Sequence, residues 1–205
     1  MANAADFEAR DRYRDLMIEA KARALSINAI WGDQRGIPSP LIREYGVLQI
    51  RMLCEIIGLA CLVAHGDLVA QGPANLRKAY APGEIFAALE EMHDDFFPVP
   101  MEPQQTNDGW HMAEYAGGSA LEKQEVKAVW DQCGGYLHKG NLKRLVRQND
   151  PVQANFADVS EWGQKIMNLL SNHRMIRKDR QIAFITMLAN GEGNVQVEIG
   201  EAIAP

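Results

Sequence analysis

Apolar positions in the first thirty residues recur every three or four: Phe7, Leu16, Ala20, Ala24, Ile27 and Trp31, with charges of both signs between them. That spacing puts the apolar side chains on one face of a helix over about 5–30 and leaves the other face wet. Gly32 and the Gly36-Ile37-Pro38-Ser39-Pro40 segment stop it. A second helix is predicted over 40–64. Ser39 is placed to cap it, Pro40 suits a first turn whose N–H groups have no partner, and Gly66 suits a left-handed end. This helix is apolar nearly all round, which makes it the central element of a core. Its length would also span a bilayer, but Gln49, Arg51 and Glu55 interrupt it, and charges near a membrane midplane are costly. A buried helix and no membrane partner are expected.

Leu76–Tyr80 fits a single turn. Ala81-Pro82-Gly83-Glu84 opens a helix carrying Ile85, Phe86, Leu89 and Met92, closed by Phe96-Phe97-Pro98-Val99-Pro100. Asp108-Gly109 inside 99–115 signals a β-hairpin. Ser119 with Glu122 forms a capping box for a helix from Ala120 to about His138. Another helix over 158–172 carries Val159, Trp162, Ile166, Leu169 and Leu170. After it the period changes: 181–188 and 194–203 are β-rich and flank a short glycine-containing connection, a C-terminal hairpin within about 180–203. The fold class expected is mainly α (α+β): a helical bundle around helix 40–64, the helical core covering about 5–172, in one domain. Strands confined to hairpins exclude the alternating βαβ order of nucleotide-binding sheets, and no cofactor is implied.

Composition narrows the class further. A chain of 205 residues with 47 % hydrophobic and 23 % charged residues is neither disordered nor a rod. The net charge of −6 offers no global attraction to nucleic acid or anionic lipid. That modest figure conceals two opposed regions. Residues 84–125 hold one basic and ten acidic side chains, and residues 138–180 hold nine basic and four acidic. The two regions are expected to face each other within one chain or across a homo-oligomer. Cys54, Cys61 and Cys133 lack any metal or disulfide spacing and read as small core hydrophobes. The N-terminus has no basic-then-apolar order of a signal peptide, so a cytoplasmic location is expected.

Helical geometry, at about 100° per residue, puts Glu44, Arg51, Glu55, Gly58, Leu62 and His65 close to one line. A charged seam inside an apolar helix is either a structural ion pair or one wall of a cleft, with Gly58 leaving room for a ligand or a crossing backbone. The five histidines show no HExxH or HxH spacing, so no metal site is predicted. His65, His93, His138 and His173 all fall near predicted helix C-termini, where an imidazolium is favoured by about 0.3–1 kcal/mol and its ring can cap carbonyls. The acidic run around His93 reads as a solvated helix end.

His138 is the strongest chemical candidate. Gly134 and Gly135 precede it, and Lys139, Lys143 and Arg144 follow. An imidazole beside a basic patch is what metal-independent RNA cleavage uses, with the cations on phosphate and the ring moving the 2′-hydroxyl proton. A divalent-metal hydrolase built on Glu55, His65, Asp67 and His138 is a further alternative, and needs those groups to converge.

Arg51-Met52-Leu53-Cys54-Glu55 on a long apolar helix, followed by a helix ending Tyr136-Leu137-His138-Lys139-Gly140, resembles the HEPN-type helical bundles of bacterial defence and toxin systems over about residues 5–140. The resemblance implies a helical bundle and, in nuclease members, RNA as substrate. Those members carry an arginine five to seven positions before the histidine. Here Trp130, Asp131, Gln132 and Cys133 occupy that stretch, which implies a binding-only relative. The reading from sequence is therefore a non-enzymatic binding or regulatory protein, with Arg51, Glu55, His65, Asp67, Lys139, Lys143 and Arg144 as candidate binding residues. RNA is the less favoured partner.

Overall fold

The computed structural model describes residues 2–33, 36–66, 70, 76–138, 156–177 and 181–201. Helix α1 (Ala4–Gly32) starts on a capping box in which the Asn3 side chain accepts from backbone N–H groups of the first turn and Asp6 accepts from Asn3 N–H. Its buried stripe is Asp6, Tyr13, Met17, Ala20 and Ile27; Ala20 and Ile27 are as expected, Leu16 and Trp31 pack partly buried on the core, and Asp6, Tyr13 and Met17 were not anticipated. Phe7 lies outside, with Arg10 over its ring. Asp6 takes the inward position because Arg177 pairs with it there.

Helix α2 (Ser39–Ala64) begins one residue earlier than expected. Pro38 is the N-cap and Ser39 makes no capping hydrogen bond. The proline at the helix start replaces the hydroxyl cap, since a ring-fixed φ suits the first turn and one orphan donor is already absent. The helix ends at His65, and Gly66 takes no left-handed conformation. Thirteen residues of α2 are buried, and two thirds of its most apolar window is covered by protein. Their contacts are with α1, α3 (Pro82–Glu90), α4 (Lys123–Leu137) and α5 (Ala157–Leu170). The central apolar helix is thus present.

Helix α4 starts later than the Ser119–Glu122 pattern suggests. The capping box is Glu122 with Glu125, because residues 119–122 are held as an extended strap on α5. Leu121 N–H donates to the Lys165 carbonyl, Asn168 donates to the Ser119 carbonyl, and the Leu121 side chain is buried.

Both expected hairpins form. Strands β1 (Val99–Thr106) and β2 (Gly109–Glu114) pair across Asn107-Asp108. Gly109 closes the turn at φ 127°, a value L side chains rarely adopt. Strands β4 (Ile182–Met187) and β5 (Gln196–Glu201) make the C-terminal hairpin. Between the two hairpins lies a strand the hydrophobic pattern did not show, β3 (Asn172–Ile176), which starts where the α5 helix had been expected to continue. It joins the hairpins into one antiparallel sheet of order β2-β1-β3-β4-β5. Helices α1 and α5 pack on the face that carries His173, Met175, Phe184 and Val197, and these side chains belong to the same core as α2. The fold is mixed α and β, mainly helical.

Candidate functional site

The charged seam of α2 is closed by one tryptophan. Trp130, on α4, lies with its ring 3.8 Å from the Arg51 guanidinium carbon, and its indole N–H donates to Glu55 Oε1 at 2.8 Å. Arg51 Nη1 donates to the Trp130 carbonyl at 3.1 Å, and Arg51 Nε lies 3.5 Å from Glu55 Oε1. Both charged side chains are about one fifth exposed, so the stacking contact is worth about 1–2 kcal/mol, more than at an open surface. Gly134 makes room for this, since a Cβ there would sit 2.6 Å from Arg51 Nη1. The gap at Gly58 is taken by Pro82 and Ile85 of α3, a crossing backbone and not a ligand space. The thiols behind the seam are inert. Burial pushes Cys54 and Cys61 well up and Cys133 up to about 12.

About two turns before Arg51, Arg43 lies 4.3 Å over the Tyr136 ring and its Nη2 contacts Asp158 at 2.5 Å. Arg43 therefore meets Tyr136, and Glu55 meets Trp130, so α2 and α4 run antiparallel. That register decides the convergence question. His138, exposed at the C-cap of α4, belongs to the Arg43 end. His65 lies at the far end of α2, about 30 Å along the axis from Arg43 at 1.5 Å per residue. Glu55, His65 and His138 share no cleft, and among the described residues no three His, Cys, Asp or Glu groups form a metal site. Glu44 is exposed. Asp67, Lys139, Lys143 and Arg144 lie outside the described residues.

Three histidines are core groups. His65 and His93 meet edge to face with centroids 5.0 Å apart. Each directs Nε2 at a carbonyl, of Phe96 and Ile176 respectively, and a carbonyl only accepts, so both rings carry a proton on Nε2. His93 is buried while the acidic side chains around it are exposed, which corrects its reading as part of a solvated end. His173 donates Nδ1–H to the Leu170 carbonyl, and its Nε2 accepts from the Tyr13 hydroxyl at 2.6 Å. Burial lowers the pKa of His173 to about 4 and raises that of Tyr13. His173 thus caps the last turn of α5 as a neutral ring, where an imidazolium had been expected.

This ring makes stability depend on pH. With a folded pKa of about 4 and an ordinary value of 6.5, the unfolded chain binds one more proton between those limits, so stability falls as pH drops through that window. The expected loss is about 3 kcal/mol between pH 7 and pH 4 at about 1.4 kcal/mol per pH unit. Urea unfolding of the wild type and His173→Gln across that range measures it. The variant should lack this component, and identical slopes would contradict the assignment.

One ion pair joins the acidic and basic regions through Lys165. Lys165 bridges Glu125 at 2.8 Å and Glu161 at 3.3 Å. Its hydrogen bond lowers the Glu125 pKa. A concave surface lies elsewhere, between α1 and α5. There a cavity of about 120 Å³ lined by Ile27, Trp31, Leu53 and Met167 adjoins one of about 340 Å³ that reaches Lys21 and Leu188. Sequence reasoning missed this groove, as well as Trp130 and the Asp6–Arg177 pair. A signal existed only for Trp130, an aromatic beside the apolar positions Val126, Val129 and Cys133 of its helix. No protein-family model matches the chain, and comparison with curated proteins and with solved structures found no match.

Proposed function

We propose that this protein acts by binding and not by catalysis, as a regulatory relative of the HEPN-type bundles that its α2 and α4 motifs resemble. The observation that carries this reading is the occupation of the α2 seam by Trp130. The Arg51 and Glu55 groups that a cleft would offer to a substrate are already stacked and hydrogen-bonded. The histidines support it too. His65, His93 and His173 are held on backbone carbonyls in the core. Arg43, which the helix pairing brings to the His138 end, is engaged by Asp158 and Tyr136. Partner binding then falls to the surface, where the exposed acidic side chains of 84–125 suit a basic partner, including the basic region of a second copy.

The test is incubation of the purified protein with RNA in EDTA, beside His138→Ala. Neither protein should degrade RNA above the buffer control. Cleavage by the wild type that His138→Ala abolishes would overturn the proposal and establish metal-independent ribonuclease chemistry at His138.

A further inference from the structure

The sheet has two unlike faces. On the inner one, His173, Met175, Phe184 and Val197 belong to the hydrophobic core. The outer positions alternate with these, as side chains do along any strand. They are Asn172, Arg174 and Ile176 of β3, Ala183, Ile185 and Met187 of β4, and Gln196, Glu198 and Gly200 of β5. None of the four apolar residues among them belongs to the core or packs against it. Among the described residues, α1 and α5 make the main helix contacts with the sheet, and Tyr13 and Leu170 meet His173 and Phe184 on the inner side. The outer face thus carries four half-buried apolar side chains, and no helix among the described residues lies over it.

Its charges are arranged in a row. Val99, Arg174, Ile185 and Glu198 are directly opposite one another across β1, β3, β4 and β5, so their side chains rise from the same face. Arg174 Nε is buried with no hydrogen-bond partner. A buried guanidinium nitrogen left unmatched costs free energy and calls for an acceptor. Glu198 is exposed, and its one side-chain contact among the described residues is a hydrogen bond from Gln196. Arg174 and Glu198 flank Ile185 at one strand spacing on either side, about 4.8 Å each.

That symmetry selects the occupant. A two-fold axis running along β4 under Ile185 places the same face of another molecule opposite this one. It exchanges left for right across the strands, so Arg174 of one copy lies over Glu198 of the other, twice, with Ile185 on Ile185 between them. A face whose charges become complementary by its own two-fold rotation fits an isologous dimer, packed as aligned sheets about 10 Å apart. We propose that the outer face of the sheet is covered by the same face of a second copy, with Arg174 of each copy paired to Glu198 of the other. The exposed β1–β2 arm, a two-stranded ribbon of the kind that is marginal alone, then overhangs the β5 edge of the second copy. This surface is separate from the acidic region, and the inference does not depend on whether the protein is a catalyst.

The experiment is sedimentation equilibrium of the full chain over a range of micromolar concentrations, in low and high salt, for four proteins. The wild type should dimerise, and the dimer should persist in high salt because its centre is apolar. Arg174→Glu and Glu198→Arg should each weaken dimerisation at least tenfold, since each sets two like charges face to face. The double variant Arg174→Glu/Glu198→Arg should restore it, and circular dichroism should show all four folded. A wild type that stays monomeric overturns the proposal. So does a dimer that both single charge reversals leave intact, or one that dissolves in high salt, which would place self-association on the acidic region.

Discussion

Asp6→Ala is expected to lower the unfolding free energy by about 3–5 kcal/mol, the typical cost of removing one member of a buried ion pair. Asp6 and Arg177 join the first turn of α1 to the end of β3, and both side chains are less than a tenth exposed. Losing the carboxylate removes the Asp6 charge from beside a buried guanidinium. It also removes the acceptor for Asn3 N–H and with it half of the α1 capping box. Urea unfolding measures the change, with Glu8→Ala as control. Glu8 is exposed and pairs with Arg12 on the same helix, so its loss should cost well under 1 kcal/mol. Equal effects at the two sites would show that the α1–β3 pair contributes nothing special.

Trp130→Ala is the second large effect, and it comes from a helix surface. Truncating a large aromatic typically costs about 3–5 kcal/mol, and here three further losses are combined with the vacated volume. Arg51 loses the ring it stacks on, Glu55 loses the indole N–H donor, and the Tyr80 ring, 6.5 Å away, loses its neighbour. Trp130→Phe separates these contributions. It keeps a ring under Arg51 and deletes the Glu55 hydrogen bond together with part of the indole's area, so it should recover more than half of the loss. A Phe variant as unstable as the Ala variant would shift the weight from stacking to the indole N–H.

What the hydrophobic pattern could foretell and what it could not follow from the range of the interactions involved. Helix α2 and the turn of the β1–β2 hairpin were legible because their signals are local: a long, nearly all-apolar stretch, and an Asp-Gly pair at a tight turn. The α4 start was misread because Ser119 and Leu121 are claimed by α5, a partner some forty residues away. Strand β3 was invisible for a related reason. Asn172, His173 and Arg174 look like a polar helix end, and only pairing with β1 on one side and β4 on the other makes them a central strand. Asp6 and Phe7 show the same principle within one turn of α1. Hydrophobicity alone would bury Phe7, but an arginine 171 positions later turns Asp6 inward.

The candidate site was legible as a line and not as a place. Helical periodicity correctly put Arg51 and Glu55 on one side of α2, but it carries no information about which helix faces that side or in which direction it runs. The antiparallel course of α4 fills the seam with Trp130 and sends His138 away from His65. The histidines show how burial changes a role without changing a position. His173 sits near a helix C-terminus as expected, yet burial in the core keeps it neutral, with Nδ1–H on the Leu170 carbonyl and Nε2 accepting from the Tyr13 hydroxyl.

The central claim is that the charged seam of α2 is a structural joint closed by Trp130. A double-mutant cycle of Arg51→Ala and Trp130→Ala, read by urea unfolding, tests it most directly. The expected result is a coupling of about 1–2 kcal/mol between the two positions, as a shielded cation–aromatic pair gives. Strict additivity, with Arg51→Ala by itself costing almost nothing, would contradict it and return the seam to solvent or to a ligand.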